Sequence, residues 1–547
     1  MNATLKFRII VALGAVLGMN AVAQAGKVFD VRELGAKGDG FTDDTAAIQK
    51  ALDDCGKLGG TVRLVKGTYY SKPLTIRTKT AFIIDAGATL LASTNQSDFL
   101  KAPGDWLKAK SGGDFVPFIS GSDLENVTIG GGGTIEGSGA VWWEAAEEAR
   151  RKVSGFTLPR PNLIVLTRAN NLVVRDVTIQ NAPKFHLVPT ECDGVLISNV
   201  TILAPERSAN TDAIDPSVSR RVTITKCLID VGDDNVAVKS GKRMDGREFA
   251  VEDLTVTDCT FKHGHGMSIG SETVGGVKNV IVRNCTFEDT DNGIRIKSDR
   301  KRGGTVENFL CENITMKNVR GAITITSYYP RIPATDEAQP VTDTTPKYRN
   351  ITLRNISGNY RSFGFYLSAW DYKAKGLQGN FGSIVIENVD LRQTQANYSY
   401  TEPFLFRISG RHRSLILRNI HYHDPADDRY LVYLEGRSDI PDMGDTPAQV
   451  DSLVIDGLHL QDAGAVEQHR PYIKVCGRVR RLVLKNSELY CAKNNRAVLL
   501  ATEGEHASVD HLLLYNIAAE NLPRLISDPE TRIRHVETGP GVWLGAD

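Results

Sequence analysis

LVVRDVTI at residues 172–179, VLISNVTI at 195–202, VTITKCLI at 222–229, LTVTDCTF at 254–261 and VIVRNCTF at 280–287 are copies of one pattern. It returns as FLCENITM from 309, ITLRNISG from 351, IVIENVDL from 384, LILRNIHY from 415, LVIDGLHL from 453, LVLKNSEL from 482 and LLLYNIAA from 512. Each copy reads as a short strand, a tight bend and a second short strand, because apolar and polar residues alternate on either side of the fifth place. That place is Asn in eight copies, at 199, 284, 313, 355, 388, 419, 486 and 516. Asn tolerates the left-handed conformation and hydrogen-bonds locally, so the column predicts an amide ladder along one corner. The copies start 23 to 42 residues apart. A repeat of roughly 25 to 30 residues with three short strands per turn predicts an all-β, right-handed parallel β-helix. A propeller wants four strands over about 40 residues per blade, and a leucine-rich repeat wants its own Leu/Asn pattern.

Outward from the repeat, the ends are read as caps. Thr42, Asp43, Asp44 and Thr45 precede apolar residues at Ala47, Ile48, Ala51, Leu52 and Cys55, which fall on one helical face. Thr42 is the expected N-cap, and Gly59-Gly60 the stop. This helix is expected to close the first coil. At the N-terminus, Lys6 and Arg8, an apolar run over 9–19 and Ala23-Gln24-Ala25 read as a signal peptide over residues 1–25. The expectation is an exported chain, secreted or periplasmic. Residues 26–547 then form one solenoid domain: 26–150 the cap and first coils, 160–400 the catalytic coils, 400–547 the C-terminal coils and cap.

Lys plus Arg and Asp plus Glu stand at 65 each, which leaves no global field for nucleic acid or an anionic membrane. Of the eight cysteines, Cys227, Cys259 and Cys285 hold the same place in successive copies. That predicts a column of buried thiols rather than bridges among them.

A second pattern lies downstream within the coils: NTD-AIDP from 210, GDD-NVAVKS from 232, GHG-MSIGS from 264, NGIRIKS from 292 and GAITITS from 321. Alternation turns Val236/Val238, Met267/Ile269, Ile294/Ile296 and Ile323/Ile325 inward. It turns Ala237/Lys239, Ser268/Gly270, Arg295/Lys297 and Thr324/Thr326 outward. In that register Asp212, Asp234 and His265 share a column on adjacent coils. Asp233 stands beside Asp234, and Arg295 and Lys297 lie one coil past the histidine. Each residue alone reads equally well as a turn or surface group. Together they gather like charges that structure alone has no use for. Two carboxyl groups can act as acid and base on a glycosidic bond, and the cations can hold the carboxylate of an acidic sugar.

At these residues the chain resembles the family 28 glycoside hydrolases, the polygalacturonases, on four motifs in order: Asn210-Thr211-Asp212, Gly232-Asp233-Asp234, Gly264-His265-Gly266 and Arg295-Ile296-Lys297. Arg160-Pro161, the run from Gly266 to Glu272 and Arg302-Gly303-Gly304 extend the likeness over about residues 27 to 390, toward the bacterial and plant branch. One departure is Ala213, where the family has Gly; a methyl there would tighten the floor of the subsite. The resemblance implies hydrolysis of a pectic polysaccharide with inversion. It implies Asp233 as general acid, Asp212 and Asp234 activating water, and His265 supporting the acid. Arg295, Lys297 and a tyrosine, Tyr328 in preference to Tyr329, would bind substrate. Inverting pairs leave roughly 6.5–9.5 Å between acid and base. No cofactor or metal, no nucleic-acid or membrane partner and a monomeric state are expected. Exo action is favoured, with Trp142-Trp143-Glu144 and the stretch 330–346 as barriers. The rivals are a rhamnogalacturonan or substituted-galacturonan hydrolase, a pectate lyase and a noncatalytic polysaccharide-binding β-helix.

Overall fold

The computed structural model describes residues 26–109, 113–152, 159–241, 250–329, 342, 344–369, 381–394, 404–423, 430–436, 447–462, 471–493, 496–528 and 531–544. The signal-peptide segment 1–25 and most of the barrier stretch 330–346 lie outside the described residues. Every pairing between named strands is parallel, and each strand hydrogen-bonds to the equivalent strand of the next coil. The chain winds into a right-handed parallel β-helix.

The interior is built from columns of like residues. Ile197, Ile224, Val256, Val282, Cys311 and Leu353 pair in sequence through successive coils, and all are fully buried. Burying one such aliphatic side chain is worth about 1.5–3 kcal/mol. Every coil therefore adds a layer to one core. Cys227, Cys259 and Cys285 fill places that Val200 and Ile314 fill in neighbouring coils. All eight cysteines are buried.

The bend residues adopt positive φ at Asn199, Asn284, Asn313, Asn355, Asn388, Asn419, Asn486 and Asn516. Their amides bond from coil to coil: Asn313 to Asn284 at 3.0 Å, Asn355 to Asn313 at 2.8 Å, Asn388 to Asn355 at 2.8 Å and Asn419 to Asn388 at 2.9 Å. Gly457 takes the place in one copy, and Asn486 turns to Asp456 instead. A second ladder, unforeseen in the sequence, runs one residue ahead of the copies through Asn279, Asn308 and Asn350.

The capping helix spans Thr45–Leu58 and buries Ile48, Ala51, Leu52 and Cys55. It ends at Gly59, at φ 74°. It starts later than expected: Thr42 belongs to the strand Asp39–Asp43, and Asp44 is the N-cap residue. The Asp44 carboxylate accepts from the backbone of Lys37 and Gly38, at 2.6 and 2.9 Å, and so folds the preceding loop onto the helix. Among the described residues no helix is long and apolar enough to cross a membrane.

Candidate active site

The sheet that carries the site begins with Leu74–Thr75, Ile119–Ser122, Ile164–Thr167 and Leu187–Thr190. It continues through Ile214 to Val236–Val238, Met267–Ile269, Asn292–Lys297 and the end of Thr305–Thr326. Ile214 pairs with Val236 and Val236 with Met267. Two places earlier, this register stacks Asp212, Asp234 and His265. Ser268 pairs with Arg295, which pairs with Thr324. Alternation placed Val236/Val238, Met267/Ile269, Ile294/Ile296 and Ile323/Ile325 on the inner face, and all eight are fully buried.

One oxygen from each of Asp212, Asp233 and Asp234 lies within 4.8 Å of the others. That is close enough to share a cation, but neighbouring side chains already supply the positive charge. Asp234 is buried and takes Arg295 at 2.6 Å on one oxygen and Lys297 at 2.8 Å on the other. Ser268 adds a hydroxyl at 2.8 Å. Burial opposes the charge of Asp234, but Lys297 and Arg295 outweigh it and hold the carboxyl well below the usual range. The two cations expected to face substrate both bond Asp234, with the Lys297 side chain only 5% exposed.

Asp212 is treated differently. Burial, then the neighbouring carboxylate of Asp215, push it well above the carboxylate range, against the pull of Lys239. Lys239 stands 3.2 Å from Asp212 and in contact with Asp215. One ammonium cannot neutralise two buried carboxylates, and burial pushes Asp215 up to about 6. Asp233, at 20% side-chain exposure, reaches furthest into the groove of the three. Asn210 approaches its oxygen at 3.5 Å. His265 bridges outward from the acid, with Nε2 3.8 Å from Asp233 and Nδ1 2.7 Å from Asp291.

Two further residues brace the cluster: His186, which was not singled out in the sequence, and Arg160, which was named there only for the resemblance. His186 is fully buried, and burial lowers its pKa to about 4. Ala182 N donates to its Nε2, so its Nδ1 carries the proton and holds the Asp212 carbonyl at 3.0 Å. Arg160 bonds the carbonyls of Pro183 and Ala209 and the side chain of Asn210. The outward turn of Lys239 was legible from its alternation; its partner Asp215 was not.

Three expectations are corrected. Tyr328 is buried at 4% exposure, and it is the Tyr329 ring that faces Lys297, 5.0 Å from Nζ. Ala213 is fully buried in the core and forms no floor of the groove. Trp142 is also fully buried, packed edge-on against Phe99, Trp106 and Phe115, and is no barrier.

A β-helix with clustered carboxylates of unequal charge on one outer face defines a carbohydrate-cleaving enzyme. The family model described as Glycosyl hydrolases family 28 matches residues 74–387. The chain belongs to that family and is a glycoside hydrolase. It is 36% identical over 325 residues to an endo-polygalacturonase of Pectobacterium carotovorum subsp. carotovorum, covering 57% of this chain and 77% of the relative. A solved polygalacturonase of Erwinia carotovora superposes with a TM-score of 0.56 at 32% identity, over 66% of this chain and 94% of the other. A hyperthermoactive exopolygalacturonase of Thermotoga maritima shares the fold at 22% identity, with a TM-score of 0.56 over 79% and 92%.

Proposed function

We propose that this chain is an exported, monomeric polygalacturonase that hydrolyses α-1,4-galacturonosidic bonds of homogalacturonan by single displacement, with inversion, from a chain end. The observation that carries the reading is the triad of Asp212, Asp233 and Asp234, whose members sit in three different electrostatic settings. Asp233 faces the groove beside His265 and is the general acid. Asp234 is fixed as an anion by its two cations, and with Asp212 it orients the attacking water.

The triad oxygens, within 4.8 Å, are closer than the roughly 6.5–9.5 Å of most inverting pairs. Close spacing favours double displacement, but that route needs a free carboxylate as nucleophile. Both oxygens of Asp234 are bonded to cations, and Asp212 is held by Lys239. Inversion is the reading consistent with those bonds. Attack at a chain end belongs to this proposal, and the cleft lined by Arg160, Lys184, Lys57, Lys101 and Phe115 lies on the N-terminal side of the cluster. The Pectobacterium relative is described as an endo enzyme, so the product pattern decides.

Polygalacturonate digestion followed by anion-exchange chromatography and early NMR tests the reaction, its stereochemistry and the point of attack. The expected products are monomer or dimer from the first minutes, with the β-anomer appearing ahead of the α. A ladder of oligomers means endo action, an initial α-anomer means retention, and an ultraviolet-absorbing product means a lyase.

A further inference from the structure

Five cations stand in or beside the acid cluster, and four are committed. Arg295 and Lys297 bond Asp234, Lys239 serves Asp212 and Asp215, and Arg160 spends its guanidinium on two carbonyls and Asn210. The fifth is Lys184. Among the described residues its close contact of charge is with the face of Phe185, 4.6 Å from Nζ to the ring centroid. Among the described residues no carboxylate lies within ion-pair distance of it. Burial, then the like charges of Arg160 and Lys239, lower its pKa. An uncommitted, partly buried ammonium is costly, and an arriving anion relieves that cost.

Its position gives it a use. Leu187 pairs with Ile214, and Ile214 with Val236. Three places earlier, the same register sets Lys184 in the row of Thr211 and Asp233. Lys184 thus stands in line with the acid, two coils toward the N-terminus, a separation of roughly 10 Å along the stack at ordinary strand spacing. It also lines the inner end of a cleft of about 1090 Å³ that continues N-terminally, where Arg77, Lys57 and Lys101 project from the walls. Arg77 and Lys57 have Asp53 and Asp54 beside them, whereas among the described residues no ion pair holds Lys184 or Lys101.

We propose that Lys184 is a specificity-determining residue that takes the carboxylate of a uronate bound on the N-terminal side of the cleavage point, with the cleft behind it receiving the rest of an anionic chain. This rests on the polygalacturonase reading. It adds a site of sugar-charge recognition to the pair Arg295 and Lys297.

The test is calorimetric binding of trigalacturonate and of its methyl ester to the full chain carrying Asp233→Asn, so that nothing is cleaved. Lys184→Met and Lys184→Arg are added in turn, with melting temperatures recorded for each. Lys184→Met should weaken binding of the acid roughly ten-fold, as expected for removal of one charge-assisted hydrogen bond, and leave the ester unchanged. Lys184→Arg should keep the preference for the acid. Undiminished preference in Lys184→Met, or equal losses on acid and ester, would overturn the assignment. If Lys184→Met fails to fold, the same preference measured in Lys184→Arg and its decline with added salt decide the matter. A parent that binds trigalacturonate but never cleaves polygalacturonate refutes the polygalacturonase reading while the Lys184 comparison still reads out. A parent that binds neither compound overturns both.

Discussion

Arg295 and Arg407 occupy one column of one sheet, three coils apart, through the pairings Arg295–Thr324, Thr324–Tyr366 and Tyr366–Arg407. Each guanidinium holds a buried carboxylate. In the C-terminal coils Arg407 meets Glu435 with two bonds, at 2.7 and 3.1 Å, and both side chains are 2% exposed. The rings of Tyr366 and Phe404 flank the guanidinium at 5.5 and 5.6 Å. One charge answers one charge, and the pair is sealed. In the catalytic coils Asp234 takes two cations while Asp212 and Asp215 share one, and Asp233 is left facing the groove. The same backbone position makes a piece of framework where charges match. It makes a reactive site where they do not, because the unmatched carboxyl group can gain or lose a proton.

The largest contrast is between Asp233 and Arg407. Asp233→Asn should cut kcat/KM on polygalacturonate by about two to four orders of magnitude, the usual contribution of a general acid, with little change in melting temperature. Arg407→Met should do the reverse. It leaves Glu435 buried without its partner and should cost roughly 3–5 kcal/mol in denaturant unfolding, while kcat per folded molecule holds. An active Asp233→Asn enzyme, or an Arg407→Met enzyme as stable as its parent, breaks the contrast.

Lys297→Met falls between them, since this lysine belongs to both classes: buried like Arg407, yet bonded to a carboxylate of the triad. Stability and activity should both drop, the former by roughly 3 kcal/mol. Activity should fall on both unesterified and methyl-esterified polymer, because the substitution removes a bond to Asp234. A drop confined to the unesterified polymer would return Lys297 to the role of substrate clamp.

The smallest effect is in pH dependence. Asp215 is pushed up to about 6 in the folded chain, against about 3.9 for an unfolded Asp. The folded state therefore holds this proton more tightly. Its stabilising contribution is complete below about pH 4 and is lost as pH rises through about 6. Asp215→Asn leaves Lys239 and Asp212 matched one to one. Relative to this variant, the parent's melting temperature should decline from pH 4 to 6 and run parallel above. Parallel curves throughout would mean that Lys239 neutralises both carboxylates.

What the sequence revealed of the site follows from what alternation can encode. Val236, Met267, Ile294 and Ile323 fix the inward face, and with it the column of Asp212, Asp234 and His265. Alternation says which side of the sheet a long side chain leaves from, but not which of several facing groups it reaches. For that reason the bonds of Arg295 and Lys297 to Asp234, and of Lys239 to Asp215, came only with the structure. The choice between Tyr328 and Tyr329 lay beyond the same limit, because the strand ends at Thr326 and its two-residue period ends with it. The helix start was misplaced because Asp44 is fixed by a loop six and seven residues upstream, not by the local capping pattern.

The asparagine ladder has a consequence for how such a chain can change. Successive rungs at 284, 313, 355, 388 and 419 are separated by 29, 42, 33 and 31 residues, yet their bonds stay between 2.8 and 3.0 Å. Coil length varies by 13 residues without reaching the bend. The ladder acts as a keel: whatever is inserted or removed must go elsewhere around the coil. The bonded rungs start at Asn284, on the coil that carries Arg295 and Lys297; the coils of Asp212 and of Asp233-Asp234 have Asn199 and Lys226 at the bend and are held in register by their strand pairings instead.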